Sequence, residues 1–127
     1  MGMLELDPEW QRAVTDTHIA YFRIGVMTQD LVWEQYRYPI DLKTLLEGNG
    51  DRMSRQANPA AKLDPPLPPD DDVLINKTGS TSGFGAYVAF VPDRKLGIVL
   101  LANKNYPIDA RVAAALSILT QLDRVRR

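Results

Sequence analysis

Lys77, Thr78 and Gly79 follow one another at the polar end of an otherwise apolar stretch, "VLINKTGS", and more glycines come soon after at Gly83 and Gly85. An ammonium, a hydroxyl and a residue without a Cβ, set side by side on a strand, would let a ligand lie along the strand edge. Gly79 permits close approach to the backbone. The N–H of the next residue, Ser80, could point at an oxygen developing negative charge, usually the largest stabilising effect in acyl-transfer chemistry. A phosphate loop is disfavoured, because there the lysine follows the glycines and here it precedes them. Three residues are a weak signal, and the polar end of an ordinary strand would read the same.

The elements that must hold these residues follow from the periodicity. "VLINKTGS" predicts a strand over 73–80, "FGAYVAFV" a second over 84–91 and "LGIVLLAN" a third over 96–103. The last two are apolar at both alternating positions, which predicts a sheet with layers packed on both faces. "PDRK" between them predicts a four-residue turn of an antiparallel hairpin. Residues 108–125 predict a helix with Ile108, Val112, Ala115, Leu116, Leu119 and Leu122 as its buried stripe, and Arg111, Gln121 and Arg124 off it. Upstream, Asp7 as cap and Pro8 at the first turn predict a helix over 7–24, with Trp10, Val14, Thr17, Tyr21 and Ile24 at helical spacing and Gly25 as its stop. Residues 30–38, "DLVWEQYRY", predict one strand, and "DLKTLLEG" a short helix capped by Asp41. From 49 to 72 the periodicity disappears, and "NPAAKLDPPLPPDDD" predicts a long exposed loop within a single domain spanning 1–127. The whole order predicts an α+β fold, an antiparallel sheet flanked by helices.

Composition excludes several classes. Fifteen Lys and Arg against sixteen Asp and Glu leave a formal charge of −1, no footprint for nucleic acid. The basic ending "DRVRR" fits a helix C-terminus complementing its dipole. No cysteine means no disulfide, no thiolate catalysis and no cysteine zinc site, and a single histidine, His18, gives no histidine metal cage, so no metal or cofactor is expected. His18 lies beside the apolar face of the first predicted helix and reads as a packed or surface residue. No apolar run approaches the roughly 20 residues of a membrane helix. "MGMLELDPEW" lacks the order of a signal peptide, so the chain as written is expected to stay in the cytoplasm.

Beyond the triplet, "INKTGSTSGFGAYVAFVPDRKLGIVLLANKNYPIDARV" resembles the closing section of the class C serine β-lactamases, the cephalosporinases. "THIAYFRIGVMTQDLVWEQYRYPI" resembles the helix and strand that come earlier in those enzymes. The likeness runs from about Trp10 to Leu122. It implies part of the α/β domain of the β-lactamase and penicillin-binding fold, with a separate all-α domain completing the cleft. It implies hydrolysis of β-lactams through a serine acyl-enzyme, in a family that is periplasmic. Carried over residue by residue, Lys77 would support the nucleophile and base electrostatically. Thr78 would help hold the substrate carboxylate or ring, Gly79 would border the substrate, and Ser80 would offer its backbone N–H to the oxyanion hole and its C=O to the acylamide side chain. Asn105 and Arg111 would lie near the β-lactam carboxylate, while Ile108 stands where many relatives have Asn, altering that recognition. Residues 36–46 would border the leaving-group side.

The family attacks with the serine of Ser-x-x-Lys, assisted by the tyrosine of Tyr-x-Asn. Ser54, Ser80, Ser82 and Ser117 are followed three residues on by Ala57, Gly83, Gly85 and Thr120, so the first motif does not occur. None of Tyr21, Tyr36, Tyr38, Tyr87 and Tyr106 has an Asn two residues later. The resemblance therefore implies a C-terminal portion without its own nucleophile, inactive alone, whose partners are the missing N-terminal portion or a second copy, with β-lactam bound only in the intact enzyme. A related penicillin-recognising peptidase or esterase, or a non-catalytic module, are the other readings.

Overall fold

A computed structural model describes residues 6–126; the first five residues of "MGMLELDPEW" and the last of "DRVRR" lie outside the described residues. The elements run α1 (Pro8–Asp16), β1 (Ala20–Ile24), β2 (Met27–Asp30), β3 (Glu34–Arg37), α2 (Leu42–Asn49), α3 (Asp51–Arg55), β4 (Ala61–Leu67), β5 (Val73–Ser80), β6 (Gly85–Val91), β7 (Leu96–Ala102) and α4 (Ile108–Val125). Seven strands form one antiparallel sheet in the order β4-β1-β2-β3-β5-β6-β7. This is the expected α+β class.

Agreement with the expected elements is fullest at the end of the chain. β5, β6, β7 and α4 fall where their patterns place them, and Val91 pairs with Leu96 across the four-residue turn. Tyr87, Ala89 and Val91 on one face of β6 meet Val112, Ala115, Leu116 and Leu119 of α4, with Tyr36, Leu45 and Leu74 completing the core. Each buried valine or leucine among them contributes about 1.5–3 kcal/mol of hydrophobic stabilisation.

Four expectations are corrected. The helix predicted over 7–24 ends at Asp16, and residues 20–24 form a strand that turns back through Gly25 and Val26 onto β2. Ile19, Tyr21, Phe22 and Ile24 are strand formers that also satisfy a helical spacing, and Gly25, at φ 57°, is a hairpin glycine and not a helix stop. Of the strand predicted over 30–38 only Glu34–Arg37 forms; Asp30 instead ends β2, and its N–H donates to the Trp33 carbonyl at 2.9 Å across a turn that the Gln29 side chain also braces by donating to the carbonyls of Asp30 and Trp33.

The loop predicted over 49–72 contains α3 and β4. β4 is an edge strand, which tolerates Pro65 and Pro66 because only one side of its backbone needs donors. Finally, the second face of the sheet is not fully covered. Phe90 is packed by Trp33 and His18, but Phe84, Val99 and Leu101 are 63%, 60% and 79% exposed. Burial pushes the His18 pKa down, partly offset by Asp71, consistent with a packing role. α1, with Trp10 and Val14 exposed, buries no residue.

Candidate functional site

β3 pairs Glu34–Arg37 with Asn76–Val73 and then runs out. Lys77, Thr78, Gly79 and Ser80 pair with β6 alone, so among the described residues their other edge has no strand partner. That open edge borders a cavity of about 720 Å³ between β5, α3 and the segment entering α4. Thr78, Gly79, Ser80, Asn105 and Arg111 all line it, together with Ser54 and Arg55 of α3. The sequence-predicted residues are thus brought together from 32 positions apart along the chain (79 to 111) by the stacking of α4 on the sheet.

Lys77 lines an adjoining cavity of about 440 Å³ that shares Thr78 and also contains Glu34 and Asn49. Its Nζ lies 2.7 Å from Glu34 Oε1. Ile108 lines the larger cavity, at the first turn of α4. Of the segment over 36–46 only Leu46 reaches it; Tyr36 is buried in the core, while Tyr38 and Ile40 line a separate cavity of about 280 Å³ against Asp123 and Arg124.

Arg111 departs from its predicted place off the buried stripe. It is only 5% exposed. Its Nη1 donates to the carbonyls of Gly79 and Ala86, both at 2.7 Å, and its Nη2 to Ser80 Oγ at 2.8 Å. The guanidinium fits because Gly85 has no side chain: a Cβ there would stand 3.1 Å from Arg111 Cζ and Nη1. A planar fork with fixed donors suits this position, where two carbonyls and a hydroxyl converge. Leu122, predicted in the stripe, is exposed, and Asp123 takes the buried position, accepting from Tyr38 Oη at 3.2 Å and pairing with Arg94 at 3.4 Å.

Sequence reasoning missed Glu34, Asn49 and Asn76. Asn76 was visible as the one amide inside the apolar run before Lys77, a polar residue that burial obliges to be hydrogen-bonded. Glu34 gave no such signal, since in the strand predicted over 30–38 it is one polar residue among several.

Comparison with known proteins accords with this geometry. The Beta-lactamase family model matches residues 2–123. The chain is 49% identical over 119 residues to a β-lactamase of Lysobacter lactamgenus, covering 94% of this chain and 31% of the relative. It is 48% identical over 124 residues to a β-lactamase of Pseudomonas fluorescens, covering 98% and 35%. A solved D-alanine carboxypeptidase AmpC from Burkholderia cenocepacia superposes with a TM-score of 0.92 at 55% identity, over 94% of this chain and 34% of that one. A class C β-lactamase from Rhodobacter sphaeroides superposes with a TM-score of 0.86 at 43% identity, over 93% and 33%. This chain belongs to the β-lactamase family, in its class C branch, and spans about a third of the length of the relatives it matches.

Proposed function

We propose that this chain supplies the Lys-Thr-Gly wall of a serine β-lactamase cleft. The whole cleft hydrolyses β-lactams through an acyl-serine intermediate, once segments carrying Ser-x-x-Lys and Tyr-x-Asn complete it. The observation that carries this is the unpaired edge over Lys77–Ser80, where Thr78, Gly79 and Ser80 line a cavity of about 720 Å³ and Lys77 lines the adjoining one of about 440 Å³. A substrate amide laid along that edge would pair with backbone groups as an added strand does. In this role the Lys77 ammonium stabilises charge at the nucleophile and the Ser80 N–H receives the developing oxyanion. Thr78 and Asn105 hold the substrate's acidic side. Arg111, whose guanidinium is already committed to Gly79, Ala86 and Ser80, acts on that side by fixing the edge.

The exposed apolar residues support incompleteness. Phe84, Val99 and Leu101 on the sheet, with Trp10 and Val14 on α1, are surfaces for the remainder of a class C fold. Supplying the N-terminal portion of a class C relative should restore hydrolysis of a chromogenic cephalosporin; no hydrolysis from a folded, stoichiometric complex would refute the assignment. A second reading is peptidase activity, favoured by the likeness to a D-alanine carboxypeptidase. Release of D-alanine from a D-Ala-D-Ala peptide by the same complex, without cephalosporin turnover, would select it.

A further inference from the structure

Asn76 directly precedes Lys77, and it is fully buried. Its amide is engaged at both ends. Nδ2 donates to Glu34 Oε2 at 3.2 Å, and Oδ1 accepts from Tyr87 Oη at 2.9 Å and from Asn49 Nδ2 at 3.0 Å. A carboxylate only accepts, so Glu34 dictates which end of the amide faces it, and the two donors on the far side hold the opposite end. Burial, and after it the charge of Glu34, pushes the Tyr87 pKa up, so its hydroxyl stays a donor. Four elements meet here: β3 through Glu34, β5 through Asn76, β6 through Tyr87 and α2 through Asn49.

The outer end of this chain of bonds is the 2.7 Å contact from Glu34 Oε1 to Lys77 Nζ. The Glu34 side chain is 14% exposed and that of Lys77 46%. An anchored carboxylate therefore grips a half-exposed ammonium, whose flexible four-carbon stem would otherwise sample many positions. Catalytic groups held by such supporting bonds keep the geometry on which transition-state stabilisation depends.

We propose that Glu34 and Asn76 are positioning residues for Lys77: the buried amide fixes the carboxylate, and the carboxylate fixes the ammonium at the cavity wall beside Thr78. Asn76, sealed in the interior, acts only through Glu34. This deepens the assignment of Lys77 as the ammonium of the cleft and rests on it for its catalytic consequence, though not for the geometry.

Trace acetylation of the chain with acetic anhydride, read by mass spectrometry, measures how freely Lys77 reacts relative to the exposed Lys62 and Lys95 of the same molecules. Lys77 should label more slowly than both. Glu34→Gln and Asn76→Ala should raise its relative rate about threefold or more, the scale of a half-exposed ion pair. Tyr87→Phe, which removes one donor to Asn76 and leaves the ring in place, should raise it by less. A cooperative melt checks each variant, and if Asn76→Ala does not fold, Glu34→Gln and Tyr87→Phe decide. An unchanged Lys77 rate in folded Glu34→Gln overturns the proposal. In the complex with the class C N-terminal portion, Glu34→Gln should lower kcat about tenfold while KM changes little, the pattern of an interaction used in the transition state. Wild-type hydrolysis with kcat unaltered by Glu34→Gln also overturns it. Absence of hydrolysis by the wild-type complex defeats instead the functional assignment, and the labelling result then stands on its own.

Discussion

Arg111 Nη1 donates to the carbonyl oxygen of Gly79 at 2.7 Å, so α4, through a residue about one turn in from its start, holds the outer end of the Lys-Thr-Gly edge in place. The same nitrogen bonds Ala86 O across the β5–β6 pair. The cavity wall is therefore clamped from behind by a buried cation, and the loop from Ser80 to Gly85 is fixed at both of its ends.

Removing the clamp should be costly. Arg111→Ala leaves two carbonyls and a hydroxyl without their charged donor and is expected to lower stability by about 2–4 kcal/mol. Arg111→Lys should recover only part of this, since an ammonium cannot match a planar fork. Urea unfolding midpoints of the three proteins test the order; a lysine variant as stable as the parent would contradict it.

Gly85→Ala presses on the same group from the other side. A Cβ 3.1 Å from Arg111 Cζ requires the guanidinium to give way, and its three bonds oppose that. A loss of about 1–3 kcal/mol is expected, the usual cost of overpacking. In the double variant Gly85→Ala, Arg111→Ala the two costs should fall short of additivity, because the clash partner is gone.

Asp30 sets a pH dependence. It is buried, neither carboxylate oxygen has a hydrogen-bond partner among the described residues, and burial raises its pKa to about 7. The folded chain then holds a proton that the unfolded chain releases near its ordinary value of 3.8. From about pH 4 to pH 7 the folded state binds more protons, so stability falls as pH rises through that window and remains reduced above it. Asp30→Asn should remove this slope and raise stability at pH 8 by up to about 4 kcal/mol. Thermal melts of both proteins between pH 4 and 8 are the check; parallel curves would refute it.

The open sheet face predicts association. With Phe84, Val99 and Leu101 exposed, the chain alone should sediment as more than a monomer at micromolar concentration. Leu101→Lys should shift it toward monomer while leaving the melt within about 0.5 kcal/mol, as an exposed substitution does. A monomeric parent with a cooperative melt would refute this.

No lactam turnover is expected from the pure chain. None of its four serines is followed three residues later by a lysine. Hydrolysis of a chromogenic cephalosporin above the buffer rate, by chain of verified mass, would show another nucleophile at work.

Sequence by itself determined β5, β6, β7 and α4, and with them the wall: the residues from Lys77 to Ser80, and the neighbours Asn105 and Arg111 at its mouth. Those elements are legible because their patterns are long and unambiguous, apolar runs of strand length and an 18-residue helical stripe. Residues 17–37 were not, because short segments such as "IAYFRI" fit a helical and a strand spacing equally, and the turn at Gly25 is chosen by pairing with β2 and β4.

Only the tertiary structure decided what the polar residues do. Arg111 is polar in the sequence and lies beside an apolar stripe, yet it is buried because Gly85 leaves room and three acceptors converge there. Asn76 and Glu34 become neighbours of Lys77 only through the β3–β5 register, which sets Glu34 opposite Asn76 and ends one residue short of Lys77. Periodicity reports which side of an element faces the core. It carries no information about which buried donors and acceptors meet, since that depends on how distant segments are registered in space.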